Sequence, residues 1–297
     1  MFCLIDSICS KITYICYMTL LIADSGSTKT SWLLITEKEE ESSSIQTTGI
    51  NPFFRSAEDI YSELKTDLLP NVSDKVDAIF FYGAGIINQE RGKVIQDALQ
   101  KLFPESSVEM SSDFVGAARA LFGNDAGITC IMGTGSGACL YDGNGIIARV
   151  PSLGFILGDE CSGAFFGKKL LSDYFKNTMP LDVQNLFEQE FDFTESEVLR
   201  RVYKEERPNK YLAEFAPFLS KYIEKDYCHQ LVMTSMGEFF ERNVIQLPEY
   251  SEFPIGFVGS VAWGFRMFIN ELAEEYGFDK PVILKDPIEM LKKFHTS

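Results

Sequence analysis

The chain has 297 residues, 45% hydrophobic and 24% charged, which is ordinary globular composition for one large domain or two of average size. Its formal net charge of -16 repels nucleic acid and an anionic membrane surface, yet leaves room for a small anion held by backbone N–H groups. The 7 Cys form no C-x-x-C pair and only 2 His accompany them, so we expect a reducing cytoplasm, no disulfide framework and no zinc site.

In chain order, residues 1–17 (MFCLIDSICSKITYICY) are apolar but lack a basic start and a small-residue cleavage site. They read as a poorly ordered leader ahead of Met18. The stretches TLLIAD and TSWLLITE are strand-like and flank a Gly/Ser/Thr turn; EKEEESSS is a polar loop, and SIQTTGINPF a further strand ending in a Pro-marked turn. Ser56–Leu69 has helical spacing, with Ser56 as N-cap. KVDAIFFYGAGI is a buried strand meeting a Gly-rich turn, Gln89–Phe103 a second helix, SVEMSSD a short strand and Phe114–Phe122 a third helix.

The pattern then repeats. GITCIMGTGSGACLYDG is again strand, Gly/Ser/Thr turn, strand, and placing Asp24 over Gly133 sets Gly26 over Gly135 and Ser27 over Ser136. IGFVGSVAWGF echoes IFFYGAGI, with Gly83 matching Gly259. Each half therefore reads as a three-strand meander followed by alternating helices and strands, an α/β design with a mixed sheet flanked by helices. Residues from Gly163 to about Ile245 form a mostly helical insertion, punctuated by Pro180, Pro208 and Pro217. The expected division is 18–112 and 113–284, with 285–297 packing back on the first domain.

DSGST alone reads as a tight hairpin with a capping Asp. It is not a P-loop, because G-x-x-x-x-G-K-[ST] is absent, and no G-x-G-x-x-G follows a strand to open a helix. Recurrence changes its weight. Two such turns, one per half, could clamp a single polyphosphate through backbone N–H and hydroxyl donors.

Together, DSGSTKT, GTGS and the Gly-centred GSVA resemble the phosphate-1, phosphate-2 and adenosine motifs of the sugar kinase, actin and heat-shock chaperone ATPase superfamily. GINP (Gly49 to Pro52), LGDECSG (Leu157 to Gly163) with Gly167, and PIEML (Pro287 to Leu291) make the chain most similar to BadF/BadG/BcrA/BcrD-type ATPases and N-acetylglucosamine kinases, from Met18 onward. Two departures are Cys161, where the family usually has Gly, and Ser260, where the adenosine motif often has a second Gly.

The resemblance implies two ribonuclease H-like (actin-like ATPase) domains, each a mixed five-stranded sheet flanked by helices. It implies ATP held by Gly26, Ser27, Thr28, Lys29, Gly133, Thr134, Gly135, Ser136, Gly259 and Ser260, and Mg²⁺ held by Asp24. Lys29 also reads as an exposed turn residue. Asp113 sits in SSDF, where its own sequence makes it the N-cap of the third helix; the resemblance adds the role of base toward an acceptor hydroxyl. Asp159 and Glu160 read locally as capping acids, and Asn51 as turn chemistry; the resemblance makes them, with Asp113, sugar ligands. Trp32 and Trp263 follow phosphate-type turns, and packing accounts for both.

The implied function is ATP-dependent phosphorylation of an amino sugar, N-acetylglucosamine first, in the cytoplasm, with neither nucleic acid nor membrane as partner. A homodimer is left open, as are a BadF-type ATPase and a non-catalytic sugar-sensing protein of the same fold.

Overall fold

The computed structural model describes residues 18–26, 28–36, 42–52, 55–72, 75–86 and 88–297. The expected leader, most of the acidic loop and Ser27 lie outside the described residues. Contacts divide the chain into one unit made of residues up to Gly123 with Pro287–Ser297, and a second unit, Asn124–Asp286.

The first unit is built on β1 (Leu20–Ser25), β2 (Lys29–Ile35), β3 (Ser42–Thr48), β4 (Ala78–Gly83) and β5 (Ser107–Ser112), in the order β3-β2-β1-β4-β5. The meander β1–β2–β3 is antiparallel, and β4 and β5 join parallel to β1. Central β1 is buried almost throughout and opens with four apolar residues, as suits a strand covered on both faces. Edge strand β3, SSSIQTT, is polar and mostly exposed, which discourages pairing with another chain. Helix α1 (Ala57–Asp67) starts at a capping box between Ser56 and Asp59, and α2 (Gln89–Leu102) at Asn88, whose side chain accepts from the Arg91 N–H.

Helix α3 (Asp113–Phe122) belongs to the first unit, so the division falls after Gly123 and not ahead of Asp113. The reason is close packing. A Cβ on Gly116 would stand 2.7 Å from the Tyr82 ring on β4, so only glycine lets the helix lie this near the sheet. Arg119, farther along α3, donates to the Tyr82 hydroxyl at 2.8 Å and pairs with Glu109 on β5 at 3.2 Å.

The second unit repeats the first. Strands β6 (Gly127–Met132), β7 (Ser136–Tyr141), β8 (Ile146–Arg149), β9 (Ile255–Val258) and β10 (Val282–Leu284) lie in the order β10-β9-β6-β7-β8, with the same pattern of antiparallel and parallel pairs. The two sheets have one topology, that of ribonuclease H-like (actin-like ATPase) domains.

After β8 come a single turn, α4 (Gly154–Leu157), and the helical insertion: α5 (Gly163–Phe175), α6 (Leu181–Glu190), α7 (Glu195–Tyr203), α8 (Pro208–Ala213), α9 (Pro217–Lys221) and α10 (Asp226–Phe239). Buried Phe187 centres it, with the rings of Tyr174, Phe191, Phe215 and Phe218 between 4.8 and 5.9 Å away. Gly167 allows α5 to touch α8, since a Cβ there would fall 1.7 Å from the Leu212 carbonyl oxygen.

Helices α11 (Ser260–Gly264) and α12 (Arg266–Glu275) follow β9, and α13 (Ile288–Thr296) returns to the first unit. There the His295 ring stacks on Phe80 at 3.8 Å, and its Nε2 is hydrogen-bonded to the Tyr82 hydroxyl at 2.8 Å. Burial, helped by Arg119, pushes His295 down to about 4. Among the described residues, no helix is long and apolar enough to cross a membrane.

Candidate functional site

In the first unit, three parallel strands end level. Asp24 on β1 lies opposite Tyr82 on β4, which lies opposite Ser111 on β5; one residue on, Ser25, Gly83 and Ser112 are level. Adjacent strands are about 4.8 Å apart, so Asp24 and the β5 end are separated by about 10 Å. Asp113 follows Ser112 directly. The expected metal-side acid and the expected base therefore share the carboxyl end of one sheet, the edge at which open α/β sheets bind ligands.

The β1–β2 turn is closed by the Gly26 N–H donating to the Lys29 carbonyl at 3.0 Å. Thr28 is half-buried and Lys29 exposed. Buried Ser25 accepts the Ile50 N–H at 3.0 Å, and its hydroxyl lies 2.8 Å from that of Thr30. The Thr30 hydroxyl donates to the Thr48 carbonyl at 3.1 Å, and the Gly49 N–H to the Thr28 carbonyl at 3.2 Å. These bonds bolt the GINP turn, carrying half-buried Asn51, to the DSGSTKT hairpin. Reading the sequence missed Ser25 and Thr30, whose signal was two hydroxyls flanking the turn.

Asp113 opens α3, but the cap is Ser112, whose hydroxyl accepts the Val115 N–H at 3.3 Å. The capping role foreseen for Asp113 thus belongs to its neighbour. The Asp113 carboxylate accepts the adjacent Phe114 N–H at 3.0 Å. Burial pushes its carboxyl up to about 6, against the lowering effect of the Phe114 and Asp113 backbone N–H groups. A carboxylate so placed is poised as a proton acceptor near neutral pH.

In the second unit, the β6–β7 turn has Gly133 N–H donating to the Gly135 carbonyl at 2.9 Å. The start of α5 holds this turn from behind: the Gly163 N–H donates to Gly133 at 2.8 Å and the Ala164 N–H to Thr134 at 3.1 Å. Gly259 lies against it with φ +129, and a Cβ there would stand 2.1 Å from the Met132 carbonyl oxygen. The expected phosphate-2 and adenosine segments are thereby in contact. Ser260 is exposed at the head of α11.

The sheet register corrects one alignment. Ser25 is level with Gly83, and Ile131 is level with Val258, the residue before Gly259. With Gly83 matched to Gly259, Asp24 falls over Ile131, two residues from the expected Gly133. The second turn thus has no acid matching Asp24.

Asp159 and Glu160 are only 9% and 7% exposed. The Ser136 N–H donates to the Asp159 carboxylate at 3.2 Å, and the Ser136 hydroxyl to the Glu160 carbonyl at 2.6 Å. Burial raises the Asp159 carboxyl to about 6, against the Ser136 N–H, which lowers it. The Glu160 carboxylate accepts from Asn243 at 3.2 Å and pairs with Arg242 at 3.2 Å. No local signal could have named Asn243 or Arg242, some eighty residues on. Cys161 has φ +61 and is buried against Met236, a left-handed conformation that glycine would adopt without strain.

Trp32 is 0% exposed and donates to Thr47 at 2.9 Å, so it is a packing residue. Trp263 is 41% exposed, with the Arg266 guanidinium 5.0 Å from its ring centre. Among the described residues, no cluster of three or more His, Cys, Asp or Glu could hold a metal ion. One carboxylate at Asp24 still suits Mg²⁺, which takes one or two carboxylates and fills its shell with phosphate oxygens and water.

No protein-family model matches the chain, and no curated protein matches it significantly. Solved structures do. A candidate N-acetylglucosamine kinase from Porphyromonas gingivalis is 37% identical, with 93% of this chain and 98% of that one covered, at TM-score 0.87. A second candidate N-acetylglucosamine kinase, from Chromobacterium violaceum, is 14% identical over 94% and 99%, at TM-score 0.62. A candidate N-acetylmannosamine kinase from Listeria monocytogenes is 14% identical over 93% and 99%, at TM-score 0.51. The last two share the fold.

Proposed function

The chain belongs to the family of N-acetylglucosamine kinase-like proteins within the sugar kinase, actin and heat-shock chaperone ATPase superfamily, and from that premise we propose that it is an ATP-dependent carbohydrate kinase acting on an amino sugar, N-acetylglucosamine. The observation that carries this is the level strand ends of the first unit. They put Asp24 two strand spacings, about 10 Å, from the end of β5, which Asp113 directly follows, and in this reading that gap takes a phosphoryl group and an acceptor hydroxyl.

In this reading Asp113 accepts the proton of the attacking hydroxyl, as its half-buried carboxylate with a raised pKa suits. Asn51 and Asp159, with Glu160 behind, orient the sugar ring. Gly26, Ser27, Thr28 and Lys29 in one unit, and Gly133 to Ser136 in the other, take phosphate oxygens. Gly259 and Ser260 take the adenosine. Asp24 would hold Mg²⁺, which when bound neutralises charge on the phosphoryl group in transfer.

The test is ADP release coupled to a spectroscopic readout, run across a panel of sugars and amino sugars with Asp113→Asn alongside. We expect N-acetylglucosamine to give the highest kcat/KM and the variant to lose turnover by about 10²–10⁴-fold. If MgATP binds but no sugar raises ADP release above background, the kinase reading fails and a sugar-sensing role takes its place.

A further inference from the structure

Asp159 does not present a solvated carboxylate. It lies against the phosphate turn, with Oδ1 taking the Ser136 N–H at 3.2 Å and Oδ2 3.0 Å from where a Cβ on Gly135 would be. Its backbone is fixed there. The Asp159 N–H donates to Ser152 at 3.3 Å, the Ser162 N–H donates back to the Asp159 carbonyl at 3.1 Å, and the Ser136 hydroxyl holds the Glu160 carbonyl at 2.6 Å. A left-handed φ of +56 aims the residue at the turn, a conformation a non-glycine residue adopts only where its surroundings impose it. The backbone is pinned, so rotation of the side chain alone would release the Ser136 N–H.

We propose that Asp159 gates the phosphate turn: without sugar its carboxylate occupies the Ser136 N–H, and a phosphate oxygen must displace it to bind. One N–H cannot serve two anions, and a carboxylate and a phosphate within about 4 Å repel each other in a partly buried site. Sugar hydroxyls that donate to Asp159 draw it off the turn and leave the Ser136 N–H to the nucleotide. The sugar then tightens nucleotide binding, and by thermodynamic reciprocity the nucleotide tightens sugar binding equally. The proposal rests on the reading of Gly133 to Ser136 as a phosphate site. It makes Asp159 a positioning residue that couples the two substrates and restrains ATP hydrolysis when sugar is absent.

Calorimetric titration of the full chain with the magnesium complex of a non-hydrolysable ATP analogue, AMPPNP, tests this in wild type, Asp159→Gly and Asp159→Asn. Glycine adopts φ +56 freely and removes the carboxylate. Without sugar, Asp159→Gly should bind the analogue about 10–100-fold more tightly than wild type, the weight of one hydrogen bond to a charged group. Asp159→Asn should gain less, since its amide oxygen still takes the N–H but carries no charge. Adding N-acetylglucosamine should tighten analogue binding to wild type and leave Asp159→Gly unchanged. Equal or weaker binding by Asp159→Gly, with wild type binding normally, overturns the gate; if that variant does not fold, equal or weaker binding by Asp159→Asn does so. No binding by wild type or either variant would instead refute the phosphate-site reading and the proposed function with it.

Discussion

Replacing Asp113 by Asn should make the protein more stable while disabling it. Burial lifts the Asp113 carboxyl from 3.8 to about 6, and each pKa unit is about 1.4 kcal/mol, so about 3 kcal/mol is held against the ionised form. The sign follows from the raised value. The proton is bound more tightly in the folded state, so its contribution is full below pH 3.8 and is lost as pH rises to about 6. Above that, wild type carries the whole cost and the Asn variant none. Urea unfolding at pH 8 should therefore show Asp113→Asn more stable by about 2–3 kcal/mol, and the gap should close as pH falls toward 4. Turnover should run the other way: wild-type kcat falls below pH of about 6 as the base is protonated, and the variant stays about 10²–10⁴-fold below the wild-type maximum at every pH. A variant equal to or less stable than wild type at pH 8, or a gap that does not change with pH, would refute the claim that Asp113 is a desolvated, ionisable base.

Gly259→Ala combines a φ of +129 with a Cβ 2.1 Å from the Met132 carbonyl oxygen, and should cost about 3 kcal/mol in unfolding free energy; a loss under about 1 kcal/mol would mean that the turn shifts freely. Ser25→Ala removes the acceptor for the Ile50 N–H and should cost about 1–3 kcal/mol, with a larger rise in sugar KM than fall in kcat if Asn51 depends on that anchor. Trp263 is 41% exposed while Trp32 is 0% exposed, so MgATP should alter the intrinsic emission and Trp263→Phe should abolish the change. An unaltered wild-type spectrum under saturating nucleotide would count against Gly259 and Ser260 as the adenosine segment.

The recurrence of a meander and a Gly-rich turn was legible because alternation and turn chemistry are local, and the two sheets do share one strand order. The register between the halves was not. Identities among Gly, Ser and Thr follow turn geometry, while register follows hydrogen bonding to β4 and β9, and the turns differ in length: four residues separate paired Ser25 and Thr30, three separate Met132 and Ser136. In SSDF both Ser112 and Asp113 are good cap formers, so local preference could not decide which one takes the Val115 N–H; the structure gives it to Ser112. Asp159 and Glu160 read locally as capping acids opening a helix, and only partners distant in sequence, Ser136 and Asn243, explain their burial. Trp32 and Trp263 are alike in sequence context and opposite in exposure, because one sits inside a sheet strand and the other on a short helix.

Helix α13 gives the order of synthesis a structural meaning. The first unit has its sheet once Ser112 is made, yet it lacks the ring that stacks on Phe80 and a hydrogen-bond partner of the Tyr82 hydroxyl until His295 appears. The whole second unit, Asn124–Asp286, is translated in between. At roughly 5–20 residues per second that is a wait of about 8–30 s. During it, the surface that α13 will cover, around Phe80 and Arg119, faces solvent or a chaperone. Truncation ahead of His295 would therefore uncover a face of the half of the molecule made first, far in sequence from the lesion, and remove nothing from the core of the half made last.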